Sequence, residues 1–445
     1  MKLSTVVALL AVLAGLAGVA LVAFAGGPGV VGLADSPDTT LSAAWVSDTG
    51  RSVSANHHAP AVDERDGVVY APVSDDGGTE GRCSLYALDA RDGGVRWEYP
   101  VPAESCFIHS VADPTVADYD GDGTREVLAA TTEHELAAFD AAGAKAFAHP
   151  LADYGYTEPV LADLAPTPGR ELAVVDTTGT VHVVSPDGAT ANSGDGAGED
   201  GDGADEDGDA PAAGRTLWTH PLDAYVWARP VVADHDADGA PELLVGDRSG
   251  NVTLFAGDGS VEWRATDVGA VSWGTAGDVD DDPATEAFLA TIDGDVVALD
   301  GRDGTVEWRT PVGAFASVRA LTDGDGDGTT EVYAATKSGT VLAMNAADGT
   351  VEWRTTVTPE SVQMMPPPVA GDLDGDGSPE LVVAANDGSV TVLDPASGDV
   401  RATYARDVKV FAHPETADLD GDGDEEVLVL YADGRVVALS YDVRG

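Results

Sequence analysis

The 445-residue sequence predicts an all-β fold: an eight-bladed ring of four-stranded blades, closed by an N-terminal strand that completes the last blade. Three observations predict it. A nine-residue acidic loop, flanked by short β-branched runs, returns along the chain. A second signal, an Asp/Gly turn followed by a run ending in Trp, returns in register with the first. Helical periodicity is nearly absent outside the N-terminus.

The acidic loop is clearest from Asp372 to Glu380, DLDGDGSPE. Asp372, Asp374 and Asp376 hold positions 1, 3 and 5, Ser378 offers a backbone carbonyl, and Glu380 closes the site. Hard oxygen ligands at alternating positions suit calcium, and the glycines between them allow a curl that a side chain would obstruct. An EF-hand begins in the same way but closes at its twelfth position between helices, whereas strands flank this loop. The same set recurs as Asp118, Asp120, Asp122, Thr124 and Glu126, as Asp234, Asp236, Asp238, Ala240 and Glu242, and as Asp323, Asp325, Asp327, Thr329 and Glu331. The last copy is Asp418, Asp420, Asp422, Asp424 and Glu426. Asp278, Asp280, Asp282, Ala284 and Glu286 keep the acids but put Asp281 and Pro283 where glycines stand elsewhere. About five to six structural calcium ions are therefore expected. Asp163 to Glu171, DLAPTPGRE, has lost its second and third acids, and the stretch after Pro60 has no such loop, so both should be metal-free.

The second signal reads YALDARDGGVRW to Trp97, LFAGDGSVEW to Trp263, VALDGRDGTVEW to Trp308 and LAMNAADGTVEW to Trp353. It resembles the quinoprotein-type, or PQQ-like, propeller repeat, whose Trp packs between blades. The acidic loop resembles the FG-GAP or VCBS repeat of integrin-type propellers. Together these resemblances cover the chain from about residue 41 to the end, and they imply a β-propeller with its calcium loops on the lower face.

First strands are expected near Pro60, Pro114, Pro159, Pro230, Gly274, Arg319, Pro368 and Pro414. The last unit ends at VVALSYDVRG without a fourth strand, while LSAAWVSD near the start supplies an orphan strand with Trp45 at the repeat's Trp position. Pairing the two termini removes two bare sheet edges.

The expected organisation is a signal peptide or membrane anchor over 1–25, a linker over 26–40, and the propeller over 41–445. The first segment is one Lys followed by an apolar run, with Ala23-Phe24-Ala25 as a cleavage site, so the protein is expected outside the cell or at its surface. A disordered acidic insertion is expected over 188–214, between the third and fourth strands of blade three. The net charge is −55, from 78 acids against 23 Lys plus Arg. That composition resembles proteins of extreme halophiles, in which concentrated salt screens the self-repulsion, and it argues against nucleic acid or anionic lipid as partners.

The connections between blades make the upper face, where His57, His58, His109, Tyr156, Trp227, Trp273, Phe315, Met364, Met365, Phe411 and His413 recur. His57, His58, Tyr156, Trp227, Trp273, Met365 and Phe411 are the candidate ligand-binding set, for a protein or glycan at the cell surface, or else they plug the channel. No catalytic motif is present. The quinoprotein resemblance describes the repeat and not a cofactor. PQQ is not expected, because quinone-dependent dehydrogenases of this fold carry adjacent cysteines and this chain has only Cys83 and Cys106. The expected function is that of an exported, calcium-stabilised binding or scaffold module, monomeric. The alternative is an enzyme on the same fold, either a quinoprotein-like dehydrogenase or a polysaccharide lyase. Export and proximity predict a Cys83–Cys106 disulfide.

Overall fold

The computed structural model describes residues 38–52, 56–75, 81–165, 169–186, 211–280, 283–358 and 362–444. The segment read as a signal or anchor, most of the linker and the centre of the acidic insertion lie outside the described residues.

Thirty-two strands among the described residues form eight four-stranded antiparallel sheets. Blades one to seven span 61–100, 115–150, 160–221, 231–265, 271–311, 316–356 and 369–405, each with its strands in chain order. The second and third strands read as unbroken apolar runs, such as VVYAPV over Val68–Val73, because each lies between two neighbouring blades and is buried on both faces. Fourth strands alternate exposed and buried, as in VEWRTP over Val306–Pro311, because they form the outer wall.

The eighth sheet closes the ring. Strand Asp38–Val46 pairs antiparallel with Val436–Arg444, in a register that places Leu41 opposite Tyr441 and Trp45 opposite Ala438. It begins at Asp38, inside the stretch read as linker, because the last strand extends far enough to pair Thr39 with Val443 and Asp38 with Arg444.

A tryptophan lock joins most blades to the next. The indole Nε1–H of Trp45 donates to the Ala90 carbonyl at 2.8 Å, Trp97 to Ala141 at 3.1 Å, and Trp218 to Gly257 at 2.9 Å. Trp263 reaches Gly301 at 2.7 Å, Trp308 Ala346 at 2.8 Å, and Trp353 Pro395 at 2.7 Å. Each acceptor lies in the turn between third and fourth strands of the following blade. The glycine of that turn runs at positive φ against the indole: a Cβ on Gly304 would stand 2.4 Å from a ring carbon of Trp263. Phe147 takes the Trp position in blade two and Ala402 in blade seven.

Cys83 and Cys106 are joined by a disulfide with Cα atoms 5.3 Å apart, tying blade one to its exit loop.

The acidic insertion leaves blade three after strand Thr180–Ser185 and returns before Arg215–Pro221. Its last residues are not structureless. Ala212 makes a parallel bridge with Phe147, accepting from the Ala148 N–H at 2.9 Å and donating to the Ala146 carbonyl at 2.9 Å. The outer strand of blade two has unpaired backbone groups that four residues of returning chain can satisfy, so 211–214 departs from the disorder expected of it.

Candidate functional site: an aromatic pocket and a ring of acidic loops

The connections entering blades two to eight, together with that entering blade one, converge on a pocket of about 280 Å³ at the upper end of the central channel. Its walls carry His57, His58, His109, Tyr156, Tyr225, Trp227, Trp273, Phe315, Met364 and Phe411. Ring touches ring around the rim: His57 stacks on Phe411 with centroids 4.2 Å apart, Tyr156 lies 4.8 Å from His109, and Trp227 lies 6.0 Å from Phe315. Arg248 covers the outer face of Trp227 at 4.2 Å. Trp227, Trp273, Tyr156 and Phe315 are half-buried and line the pocket. His109 and Phe315 hold left-handed backbone, φ 72° and 55°, a cost found where a side chain must be aimed.

Six of the seven candidate ligand-binding residues meet in this pocket. Met365 does not. It is fully buried in the core between blades six and seven, against Tyr333 and Leu381, while its neighbour Met364 faces the pocket. Consecutive residues of an extended segment point to opposite sides, so only one of the pair could line the channel.

The pocket floor is polar, and of its residues the sequence reading placed only His413 on the upper face. Asp113, Glu158, Arg229, Arg319, His413 and Glu415 meet there. Arg229 pairs with Glu158 at 3.3 Å, Arg319 with Glu415 at 3.2 Å, and His413 Nδ1 with Glu415 at 2.9 Å. A signal existed: Asp113, Glu158, Arg229 and His413 each stand immediately before the proline that opens a first strand. A residue before proline is held extended, which fixes where these side chains start.

Asp113 accepts from His58 Nδ1 at 2.9 Å and from the Ala59 N–H at 2.7 Å, and His58 Nε2 meets His109 Nδ1 at 3.2 Å. Burial would raise Asp113, but these hydrogen bonds and the nearby His58 and His413 outweigh it and hold the carboxyl at about 2. Burial, with His58 and His57 beside it, lowers His109 to about 2, and burial with His58 lowers His57 to about 4. His57 and His109 are therefore neutral near pH 7, and the pocket presents these uncharged rings over a paired ionic floor.

The acidic loops lie at the opposite end, between first and second strands. In the Asp118 loop, the two carboxylate oxygens of Asp118 accept from the N–H groups of Gly121 and Gly123 at 2.8 and 3.0 Å. The Asp418 loop repeats this with Gly421 and Gly423 at 2.7 and 3.2 Å. One oxygen from each of Asp234, Asp236, Asp238 and Glu242 lies within 4.8 Å of all the others, as does one from each of Asp323, Asp325, Asp327 and Glu331. Asp118, Asp120 and Asp122 form a third such set, Asp278, Asp280 and Glu286 a fourth, and Asp372, Asp374 and Glu380 a fifth. Asp282 lies outside the described residues. Position 7 is shaped from within: the N–H groups of Thr124, Ala240, Thr329, Ser378 and Asp424 all donate to the Asp at position 5.

The closing glutamates do a second job. Glu242, Glu286, Glu331, Glu380 and Glu426 each turn Oε2 to the N–H at position 2, at 2.8, 3.2, 2.9, 2.9 and 3.0 Å. Glu171 of the degenerate loop keeps this bond, accepting from Leu164 at 2.9 Å, although the other acids are gone. The glutamate is thus a strut in six of the seven loops, the Glu126 loop being the exception, and a candidate ligand only where the aspartates remain. Burial first, with the neighbouring acids, pushes Glu242, Glu286, Glu380 and Glu426 up to about 7. Glu126 Oε2, Asp234 Oδ1 and Asp372 Oδ1 are buried without a hydrogen-bond donor. An all-oxygen set with unsatisfied buried atoms fits a hard divalent cation.

Ala237 stands where the other complete loops have glycine, at φ 65°. The left-handed conformation costs an alanine about 1 kcal/mol. Ala237→Gly should therefore raise the unfolding free energy by about 1 kcal/mol, as read from denaturant titration.

A family model described as outer membrane protein assembly factor BamB, PQQ_2, matches residues 21–191, 209–403 and 293–442. The chain belongs to the PQQ_2 family. The overlapping matches reflect the interchangeability of successive blades. Solved structures similar to this PQQ_2 chain include BamB from Moraxella catarrhalis, 16% identical with a TM-score of 0.58, covering 90% of this chain and 100% of that one. The Vibrio cholerae biofilm matrix protein Bap1 is 13% identical with a TM-score of 0.63, covering 92% of each chain. The quinohemoprotein alcohol dehydrogenase ADHIIG from Pseudomonas putida HK5 is 12% identical with a TM-score of 0.60, covering 91% of this chain and 76% of that one. At these identities the likeness is one of fold. No curated protein matches the chain.

Proposed function

We propose that this PQQ_2 propeller is an exported binding module of the cell surface, stabilised by calcium, that takes a small group of a protein or glycan into its upper pocket. The aromatic pocket carries the reading: half-buried rings gathered from most of the blades over a paired ionic floor form a recognition surface with little entropy left to lose. At about 280 Å³ it lies near the low end of small-molecule sites, roughly 300–1,000 Å³, and suits a side chain or a sugar ring better than a large cofactor. The family description, an assembly factor, supports a protein partner, and its outer-membrane setting supports a place in the envelope. The five acidic sets with their buried, unpartnered oxygens support calcium. The composition supports work at high salt, and a monomer is the simplest state for a closed ring.

Trp227→Ala tests the reading. Trp227 is outside the blade lock, so the variant should keep the wild-type melting midpoint while losing retention on arrays of envelope glycans and surface proteins. A stability loss of about 3–5 kcal/mol, the cost of truncating a buried aromatic, would instead make the residue a plug and defeat its role in recognition.

The enzymatic reading has one observation in its favour, the Asp113–His58–His109 chain ending in an uncharged imidazole at the pocket wall. Dye-linked alcohol oxidation in the presence of added PQQ distinguishes it, since turnover would place the protein with the dehydrogenases.

A further inference from the structure

Below the aromatic pocket the channel widens into a second chamber of about 820 Å³ that opens on the face of the acidic loops. Arg229, Trp273 and Arg319 line both spaces and form the partition between them. Five arginines line this chamber: Arg65, Arg125, Arg170, Arg229 and Arg319. The whole chain has 23 Lys plus Arg against 78 acids, yet among the described residues lining the chamber the only carboxylate is Asp118.

The arginines are placed by the repeat. Arg125 and Arg170 occupy the eighth position of the nine-residue loops in blades two and three, where other blades have Pro241, Thr285, Thr330, Pro379 or Glu425. Arg65 comes from the corresponding turn of blade one. The cations are therefore gathered mainly on one sector of the ring.

A purely structural role accounts for three of them. Arg125 pairs with the buried Asp63 at 3.0 Å, Arg229 with Glu158 at 3.3 Å and Arg319 with Glu415 at 3.2 Å. It does not account for Arg65, which is exposed, or for Arg170, whose bond is to the Leu161 carbonyl at 3.0 Å. Neither has a carboxylate partner among the described residues, in a protein where carboxylates outnumber cations more than threefold. Guanidinium groups present paired N–H donors matched to carboxylate, sulfate and phosphate oxygens, and a walled channel concentrates their field.

We propose that the lower chamber binds a small polyanion, a molecule with two or more oxyanion groups, held by Arg65 and Arg170 at the mouth and by Arg125 and Arg229 deeper in. The site shares Arg229 with the floor of the upper pocket, whereas Arg65, Arg125 and Arg170 do not line that pocket.

The probe is 8-hydroxypyrene-1,3,6-trisulfonate, followed by fluorescence anisotropy with the full chain, at the lowest salt that keeps it folded and with calcium present. One saturable site is expected. The Arg65→Gln/Arg170→Gln pair should weaken binding at least tenfold, with an unchanged melting midpoint, while Arg354→Gln on an outer strand leaves it unaltered. Should the double variant melt early, Arg65→Gln alone repeats the comparison, since Arg65 has no internal bond to lose. Competition by succinate, sulfate and phosphate ranks the preferred oxyanion, and displacement by any of them supports the site. Absence of saturable binding, or equal binding by the wild type and the chamber variants, would overturn it.

Discussion

Removing calcium with a chelator, at fixed high salt, should lower the thermal midpoint by on the order of 10 °C. The expectation rests on carboxylates crowded within 4.8 Å in five loops and on three buried oxygens without donors. Such groups are costly unless a cation meets them. Extracellular calcium modules bind with dissociation constants of roughly 0.1–1 mM, so at about 10 mM free calcium each filled loop contributes about 1.4–2.7 kcal/mol. Five loops together approach the folding free energy of an ordinary domain, about 5–15 kcal/mol. Holding the salt constant separates specific binding from screening, which matters at a net charge of −55. An unchanged midpoint would defeat the calcium reading. A partial effect should be recovered loop by loop, and the Asp163 loop, which keeps only Glu171 as a strut, should contribute nothing.

The architecture was legible because propeller repeats carry redundant signals. The acidic loop marks the first turn of a blade, the Asp/Gly turn marks the last, and the Trp that follows must reach the next blade; Trp45 at the start of the chain therefore announced which sheet it would complete. Six of the eight tryptophans lie in the lock, and the two that do not, Trp227 and Trp273, are those the inter-blade connections place in the pocket. Trp218 was not recognised as a lock residue because the acidic insertion separates it from its Asp/Gly turn. The rim of the pocket could be read from local position alone. Its floor could not, because Asp113, Glu158, Arg319 and Glu415 belong to four different blades and meet only when the ring curves shut. The same limit applied to Met364 and Met365, where strand parity decides which faces the channel, and to the arginines at the eighth loop position, which are unremarkable singly and form a chamber only together.

Deleting residues through Asp48 should abolish cooperative unfolding or drive the protein into aggregates. The strand Asp38–Val46 supplies the outer edge of blade eight through nearly its whole length, with pairs from Asp38–Arg444 to Val46–Val437. It also carries the lock between the last blade and the first, since Trp45 donates to Ala90 and packs against Val69, Leu88 and Leu430. Leu41 fills the other side of the same strand against Tyr441 and the seventh blade's Ala402, where no lock tryptophan is present to compensate. Truncation therefore removes an edge strand, a buried indole and a buried leucine in one step. Burial of the two large side chains alone is worth several kcal/mol, as each such truncation costs about 2–5 kcal/mol. The nine-residue strand Val436–Arg444 is left with one side unpaired, rich in valine, and open to pairing with another chain. Light scattering and the sharpness of the melting curve read the outcome, and Trp45→Ala on the full chain separates the lock from the strand: it should lower the midpoint without causing aggregation. A truncated protein that melts as sharply and at the same temperature as the full one would show that the ring does not depend on this closure.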